Sequence, residues 1–281
     1  MIHPKETVIQ LLSEQRFCSF NKWLTSNSQS GNEAGVEATC TVMLQHPKDA
    51  QPNTFFAKFF RHPRTMANEI AGYVFAHHYG LPLPPRASIA RIPLNKLDMR
   101  TISKRHQWLK DTAKKNGFYS AFCTEAVNAP TPYHHYGGAG LEIMAANIRK
   151  WDKHIQTLTF DDIIANLDRH LNNLLRIGDS SYALIDHGRL VVQNGLWKAD
   201  DLKPDGAFDN RLLNILYHDP SVAANGMVDA AEDAGSLLAG AEEVQYWLNH
   251  LAPKESQAFD NFVQARTITA ATRIAKRYAL C

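Results

Sequence analysis

The sequence predicts an α+β protein whose first half is strand-rich and whose second half is mostly helical. Apolar and β-branched clusters of strand type recur through the first ~130 residues, whereas patterns of helical period 3.6 dominate after residue 140. Between them the composition turns to Asn, Pro, His and Gly at Asn128–Gly140 (NAPTPYHHYGGAG). That stretch divides the chain into parts spanning 1–126 and 127–281.

In chain order, strands are predicted at 16–24, 36–44, 54–60, 87–94 and 118–127. The first two flank a Ser/Asn/Gly loop at 25–35, which has no apolar residue except Ala34. Met66, Ile70, Tyr73 and Val74 fall at helical spacing, so 64–79 reads as a helix that stops at Gly80, before Leu-Pro-Leu-Pro-Pro. Helices follow at 141–151, 160–166, 208–217, 227–251 (with a break near Gly235 or Gly240) and 254–278. The exception is a hairpin. Leu174–Ile177 and Tyr182–Ile185 are two apolar runs around Gly-Asp-Ser-Ser.

Composition narrows the function classes. With 44% hydrophobic and 21% charged residues, the chain has the balance of a globular protein, not of a disordered or collagen-like one. No run approaches the ~18 apolar residues of a membrane span, and the N-terminus lacks the cationic start and apolar core of a secretory signal. Cys18, Cys40, Cys123 and Cys281 are scattered and form no C-x-x-C, which points to free thiols and a cytoplasmic setting. A net charge of +2 gives no indication of direct nucleic-acid binding.

The charge is uneven, however. Lys96, Arg100, Lys104, Arg105, Lys110, Lys114 and Lys115 face only Asp98 and Asp111 within one segment. Asp219, Asp229, Glu232, Asp233, Glu242 and Glu243 share another with no Lys or Arg. Both read as solvated faces, the basic one also suiting an acidic or phosphate-rich ligand. The pairs His77-His78 and His134-His135 lack the spacing of a zinc site, and no G-x-S-x-G or Walker A sequence occurs. Tyr246, Trp247, Phe259 and Phe262 are assigned to core.

The chemistry concentrates around the hairpin, in Asn166-Leu-Asp-Arg-His-Leu-Asn-Asn-Leu-Leu followed by Ile185-Asp-His-Gly. Symmetric pairing about a four-residue turn at 178–181 would set Asn173 opposite Asp186. An amide oxygen beside a carboxylate suits Mg²⁺, which takes hard oxygen ligands and completes its shell with water and phosphate oxygens. Asp168, five residues before Asn173, is placed to accept a proton from an attacking hydroxyl. D-x-x-x-x-N with an Asp-x-Gly after a strand, its Asp thirteen positions past the Asn, is the spacing of a kinase catalytic loop and its metal-binding aspartate. Upstream, Lys58 lies in an aromatic-rich strand where a buried charge needs a partner, and Glu69 sits on the following helix.

These segments resemble HipA-like serine/threonine kinases. The resemblance rests on Ala57-Lys58-Phe59, Asn68-Glu69-Ile70-Ala71 and Gly80-Leu81-Pro82, and most specifically on Phe160–Leu175 with Leu184-Ile-Asp-His-Gly. It covers roughly residues 54–190. The order Asp-Arg-His with Asn soon after is also similar to phosphoinositide kinases, distant members of the same fold.

The resemblance implies a bilobal protein-kinase-like fold, with a small antiparallel-sheet N-lobe, a helical C-lobe and ATP and Mg²⁺ bound in the cleft. It implies transfer of the γ-phosphoryl group to a Ser or Thr hydroxyl of a protein. Asp168 would be the catalytic base, joined in the motif by His170, and Asn173 and Asp186 the metal ligands. Lys58 would sit on the ATP phosphates, paired to Glu69, and Phe122, Cys123, Thr124, Glu125 and Ala126 would form the adenine hinge. No G-x-G-x-x-G is present; the candidate phosphate loop is Ser28–Gly35, with Gly31 and Gly35. In HipA-like toxins a serine in this loop can be autophosphorylated, for which Ser26, Ser28 and Ser30 are available here, and the family implies an antitoxin-like regulator. The alternatives are a phosphoinositide or other small-molecule kinase using the same residues, or a non-catalytic kinase-fold binding module.

Overall fold

The computed structural model describes residues 7–24, 37–47, 49–136 and 140–278. It is an α+β protein. Six strands form one sheet: β1 (Ile9–Leu12), β2 (Phe17–Trp23), β3 (Ala38–Leu44), β4 (Asn53–Phe59), β5 (Ala87–Pro93) and β6 (Phe118–Glu125), in the order β1-β5-β6-β4-β3-β2. Helix α1 (Pro63–His78) lies between β4 and β5 in sequence, and α2 (Gln107–Lys115) precedes β6. Then come α3 (Pro132–Tyr136), α4 (Leu141–Arg149) and α5 (His154–Ile163). The hairpin β7 (Leu174–Gly178) and β8 (Ser181–Leu184) follows, then α6 (Arg211–Leu216), α7 (Ser221–Glu232), α8 (Ala241–Leu251), α9 (Ser256–Ile268) and α10 (Ala270–Arg277). No helix is long and apolar enough to cross a membrane among the described residues.

The chain divides into two compact units. One comprises Thr7–Pro63 with Pro84–Ala126; the other holds Arg64–Leu83 and the chain from Val127 onward. The division at Ala126/Val127 lies where the sequence turns Pro- and Gly-rich, while α1, flanked by strands in sequence, clusters with the later helices.

In the strand-rich unit the sheet is mixed, not antiparallel throughout. β1 runs parallel to β5, Ile9 opposite Ala87 to Leu12 opposite Ala90, whereas β2–β3, β3–β4, β4–β6 and β5–β6 are antiparallel. The four-residue IQLL run of β1 has no period-two alternation, so no strand was predicted there. One sheet face buries Trp23, Cys40, Val42, Phe55, Ala57, Phe59, Ala121 and Cys123 in one core with Leu97, Ile102 and, on α2, Leu109. Lys58 points to the other face, opposite Thr39 and Phe122 in register. The three described cysteines are free thiols, and burial pushes Cys40 up to about 12.

In the helical unit, α1 closes on Gly80 at φ 72, with Leu81 N donating to Ala76 O and Gly80 N to His77 O, a left-handed cap that glycine adopts without strain. Helix α5 begins six residues before the predicted 160, because Thr157 and Thr159 return their hydroxyls to the Lys153 and Ile155 carbonyls instead of breaking the helix. The predicted 227–251 helix is interrupted by a 3₁₀ stretch, Asp233–Gly240, where a Cβ on Gly240 would meet Val74 and His78 of α1. The predicted 254–278 helix breaks at Thr269 into α9 and α10.

Candidate active site

Helix α1 anchors the loop leaving β8. Asn68 is fully buried and its amide fully used: Nδ2 donates to the carbonyls of Gly188 and Gly195, both at 2.9 Å, and Oδ1 accepts from Trp197 Nε1 at 2.7 Å. Glu69, 2% exposed, accepts the His187 N–H through Oε2 at 2.8 Å. Gly72 allows the close approach, since a Cβ there would stand 2.2 Å from His187 Cβ. Asp186 precedes this anchored stretch and is exposed. A Cβ on Gly188 would touch both Glu69 Oε1, at 3.4 Å, and Asp186 Oδ1, at 3.6 Å, so the two carboxylates flank one glycine.

A buried arginine ties this loop to the segment carrying Asp168. Arg169 and Asp161 are both fully shielded from solvent and paired at 3.2 Å. Arg169 also donates to Ile185 O at 2.6 Å and to His187 Nδ1 at 2.9 Å, while Asn166 donates to Asp161 Oδ1 at 2.9 Å. Every strong polar direction of the guanidinium is therefore used, as a buried charge requires. Burial pushes the Asp161 carboxyl above the ordinary carboxylate value, against the pull of Arg169.

The hairpin register differs by one residue from the symmetric pairing. Gly178 pairs with Ser181, but a bulge follows, and Arg176 faces Tyr182, Leu175 faces Ala183 and Leu174 faces Leu184. Ile185 N donates to Asn173 O, so Ile185 and not Asp186 comes opposite Asn173. The bulge at Ile177 absorbs one residue on the β7 side. Asp186 turns away from the ladder at φ 60. Ala165 (φ 53) and Val191 (φ 66) share that left-handed region, which is costly for a β-branched side chain. Strained residues thus bracket the Asp168 and Asp186 segments, a pattern common at functional sites.

Asp168 is 15% exposed and bridges two arginines: Oδ1 accepts from Arg211 Nη1 at 2.6 Å and Oδ2 lies 3.4 Å from Arg189 Nε. Its segment runs beside the loop after Asp186, with Leu167 N donating to Arg189 O and Asn166 bridged to Leu190. Asn173 is 5% exposed and donates Nδ2 to the Asp168 carbonyl at 2.8 Å, which turns its amide oxygen the opposite way. His170 caps the short 3₁₀ turn Leu171–Asn173, its Nδ1 accepting from Asn172 N at 3.1 Å. Burial holds this imidazole below the ordinary histidine value, with Asp168 and Asp186 pulling the other way.

One unit thus brings together Glu69, Asp168, His170, Asn173 and Asp186. Asn173 amide oxygen and Asp186 carboxylate oxygens are hard donors that fit Mg²⁺ with phosphate and water completing its shell. Among the described residues no group of three His, Cys, Asp or Glu forms a metal cluster of its own. Lys58 and Phe122–Ala126 belong to the strand-rich unit. Lys58 is half-buried on β4, Nζ 5.7 Å from the Phe60 ring centroid. Phe122 to Thr124 pair on both sides, with β4 and β5, while Glu125 N donates to Arg86 O and Ala126 N to Thr54 O. The Glu125 carboxylate binds Arg86, Oε2 at 2.7 Å from Nε and Oε1 at 2.8 Å from Nη2. Gly31, Gly35 and Ser26, Ser28 and Ser30 lie outside the described residues.

Sequence reasoning missed Asp161, Arg169, Arg189 and Arg211 as site residues, and gave Asn68 and Gly72 no role. A signal existed for Asp161, one of two adjacent acids set among the apolar residues Leu158, Phe160, Ile163 and Ile164. None existed for Arg211, which reaches Asp168 from 43 residues away. No protein-family model and no curated protein matches the chain.

Proposed function

We propose that this chain is a HipA-like kinase that transfers the γ-phosphoryl group of ATP to a Ser or Thr hydroxyl of a protein, with Mg²⁺. The observation that carries the reading is the backbone lacing of the three motif residues. Asn173 Nδ2 is bonded to the Asp168 carbonyl, the Asn173 carbonyl to Ile185 N, and Arg169 to the Ile185 carbonyl just before Asp186. A base and two oxygen donors held on rigid segments are what phosphoryl transfer demands, because its catalysis is positioning and charge stabilisation.

In this reading Asp168 orients the acceptor hydroxyl and takes its proton. Asn173 and Asp186 hold the metal, which supplies charge neutralisation on the phosphate oxygens. Glu69 and Arg169 act through Asp186 by fixing the backbone on either side of it. Lys58, on the face of β4 opposite the strand-rich core, supplies the positive charge for the phosphates.

The test is phosphate transfer from radiolabelled ATP to a mixture of cellular proteins, with wild type and Asp168→Asn. The reading predicts Mg²⁺-dependent labelling by wild type, and a loss of about 10²–10⁴-fold in the variant with nucleotide binding kept. Equal labelling by both would sink it.

A further inference from the structure

The basic segment Lys96–Lys115 and the acidic segment Asp219–Glu243 take no part in the proposed reaction, and each lies within one unit. In the strand-rich unit, β2, the turn after β5 and α2 line a groove of about 680 Å³, within the ~300–1,000 Å³ range of ligand-sized sites. Phe20, Leu97, Met99 and Ala113 give it an apolar lining, while Lys96, Arg100, Lys110 and Lys114 stand against Asp98 alone. Lys110 and Lys114 are one helical turn apart on the same face of α2. Arg100 pairs with Asp98 at 2.9 Å and Lys114 with Asp111 at 3.7 Å. Lys96, 5.8 Å from the Phe17 ring centroid, and Lys110 form no ion pair among the described residues. The groove therefore keeps a positive excess beside apolar surface.

The helical unit carries the complementary pattern. From 212 to 253 there is no Lys or Arg. Asp229, Glu232, Asp233 and Glu242 are exposed and form no ion pair among the described residues. Helix α10 packs against α7, but its Arg273 and Arg277 bind the buried Asp162 instead. Between Asp233 and Glu242 the chain exposes Gly235, Ser236 and Ala239, whose small side chains let the backbone come close to another surface. We propose that the groove of one copy receives this acidic face of a second copy. Glu232, Asp233 and Glu242 meet Lys96, Lys110 and Lys114, and the 3₁₀ stretch Asp233–Gly240 covers the apolar lining. Charge of opposite sign on the two surfaces favours this encounter and opposes groove-to-groove or face-to-face pairing. Because the surfaces differ, the contact is head-to-tail and leaves a groove and a face free at the ends, so assembly grows with concentration unless a ring closes. It uses none of the residues assigned to phosphoryl transfer.

Sedimentation velocity of the full chain over a wide concentration range is the test. Wild type should gain mass with concentration. Raising NaCl from about 0.1 M to about 1 M cuts the screening length from ~10 to ~3 Å and should weaken association about tenfold or more. Lys96→Glu with Lys110→Glu, and separately Glu232→Lys with Glu242→Lys, should each stay monomeric. Their unfolding midpoints should remain near wild type, because none of the four side chains is buried. Mixed in equal amounts, the two variants should associate again, since the acidic face of the first meets the unaltered groove of the second. Lys104→Glu with Lys150→Glu, the same change of charge outside both surfaces, should associate as wild type does. Wild type of one mass at every concentration would overturn the inference, and so would binding of polyglutamate or a short DNA duplex without self-association. A mixture that stays monomeric, a charge control that loses association, or groove and face variants that associate like wild type would overturn it as well. The kinase reading is tested separately, by phosphate transfer.

Discussion

Arg169 and Asp161 make the energetics of the site concrete at the level of single side chains. Both are completely buried, so each is tolerable only because the other neutralises it. Asp161→Leu strands a buried guanidinium beside Ile185 and His187. It should cost about 3–5 kcal/mol, read as a lower urea midpoint. Asp161→Leu combined with Arg169→Met should recover a large part of that loss, since the uncompensated charge is gone. A double variant no more stable than the single one would contradict the account. His170 gives a pH prediction. Its Nδ1 must be unprotonated to accept from Asn172 N, and burial lowers its folded-state value below the ordinary 6.5. Between the two values the unfolded chain binds more protons, so stability rises with pH there. The contribution is complete above the unfolded value near 6.5 and is lost as pH falls below it. Urea midpoints at pH 7.5, 6.5 and 5.5 should therefore decline in that order. Asn at position 170 can still cap the turn without titrating, so His170→Asn should flatten the decline.

Among the elements, the contact between α1 and the loop after β8 decides where Asp186 sits. Gly72 sets that contact, because any Cβ would overlap His187. Gly72→Ala should destabilise by about 1–3 kcal/mol and weaken stabilisation by Mg²⁺–ATP, since displacing His187 displaces Asp186. Gly235, with nothing within 4 Å of an added Cβ, is the control: Gly235→Ala should leave both measurements near wild type. The same elements show what a sequence can disclose. Helix α1 and the hairpin were legible because their ends are written in local chemistry: Gly80 before a proline run, and Gly-Asp-Ser-Ser between apolar arms. The hairpin register was not, because a bulge at Ile177 leaves no mark in apolar alternation. Nor was β1, whose pairing with β5 depends on a partner 78 residues away. Asp168, Asn173 and Asp186 could be picked out by spacing. The arginines on Asp168 could not, since surface arginines look alike until the chain is folded.

For the molecule as a whole, the two units divide the labour that the proposal requires. The helical unit carries Asp168, proposed as the base, and Asn173 and Asp186, proposed as metal donors, together with Asn68, Glu69, Arg169 and Gly72. The strand-rich unit carries Lys58 on a six-stranded mixed sheet. The central claim is that Asp186, held in a left-handed turn by the His187 and Gly188 contacts, is a metal ligand for bound nucleotide. Asp186→Asn removes the charge with little change in shape, and its exposure makes a folding defect a poor explanation for any loss of binding. The measurement is the thermal unfolding midpoint of wild type and Asp186→Asn, each with and without saturating Mg²⁺–ATP. At about 100 Kd the ligand stabilises by about 2.7 kcal/mol, a rise of roughly 2–4 °C for a chain of this length. The account predicts that rise for wild type and none for Asp186→Asn, with equal midpoints for the two proteins without ligand. No rise in wild type, or the same rise in both, would contradict it.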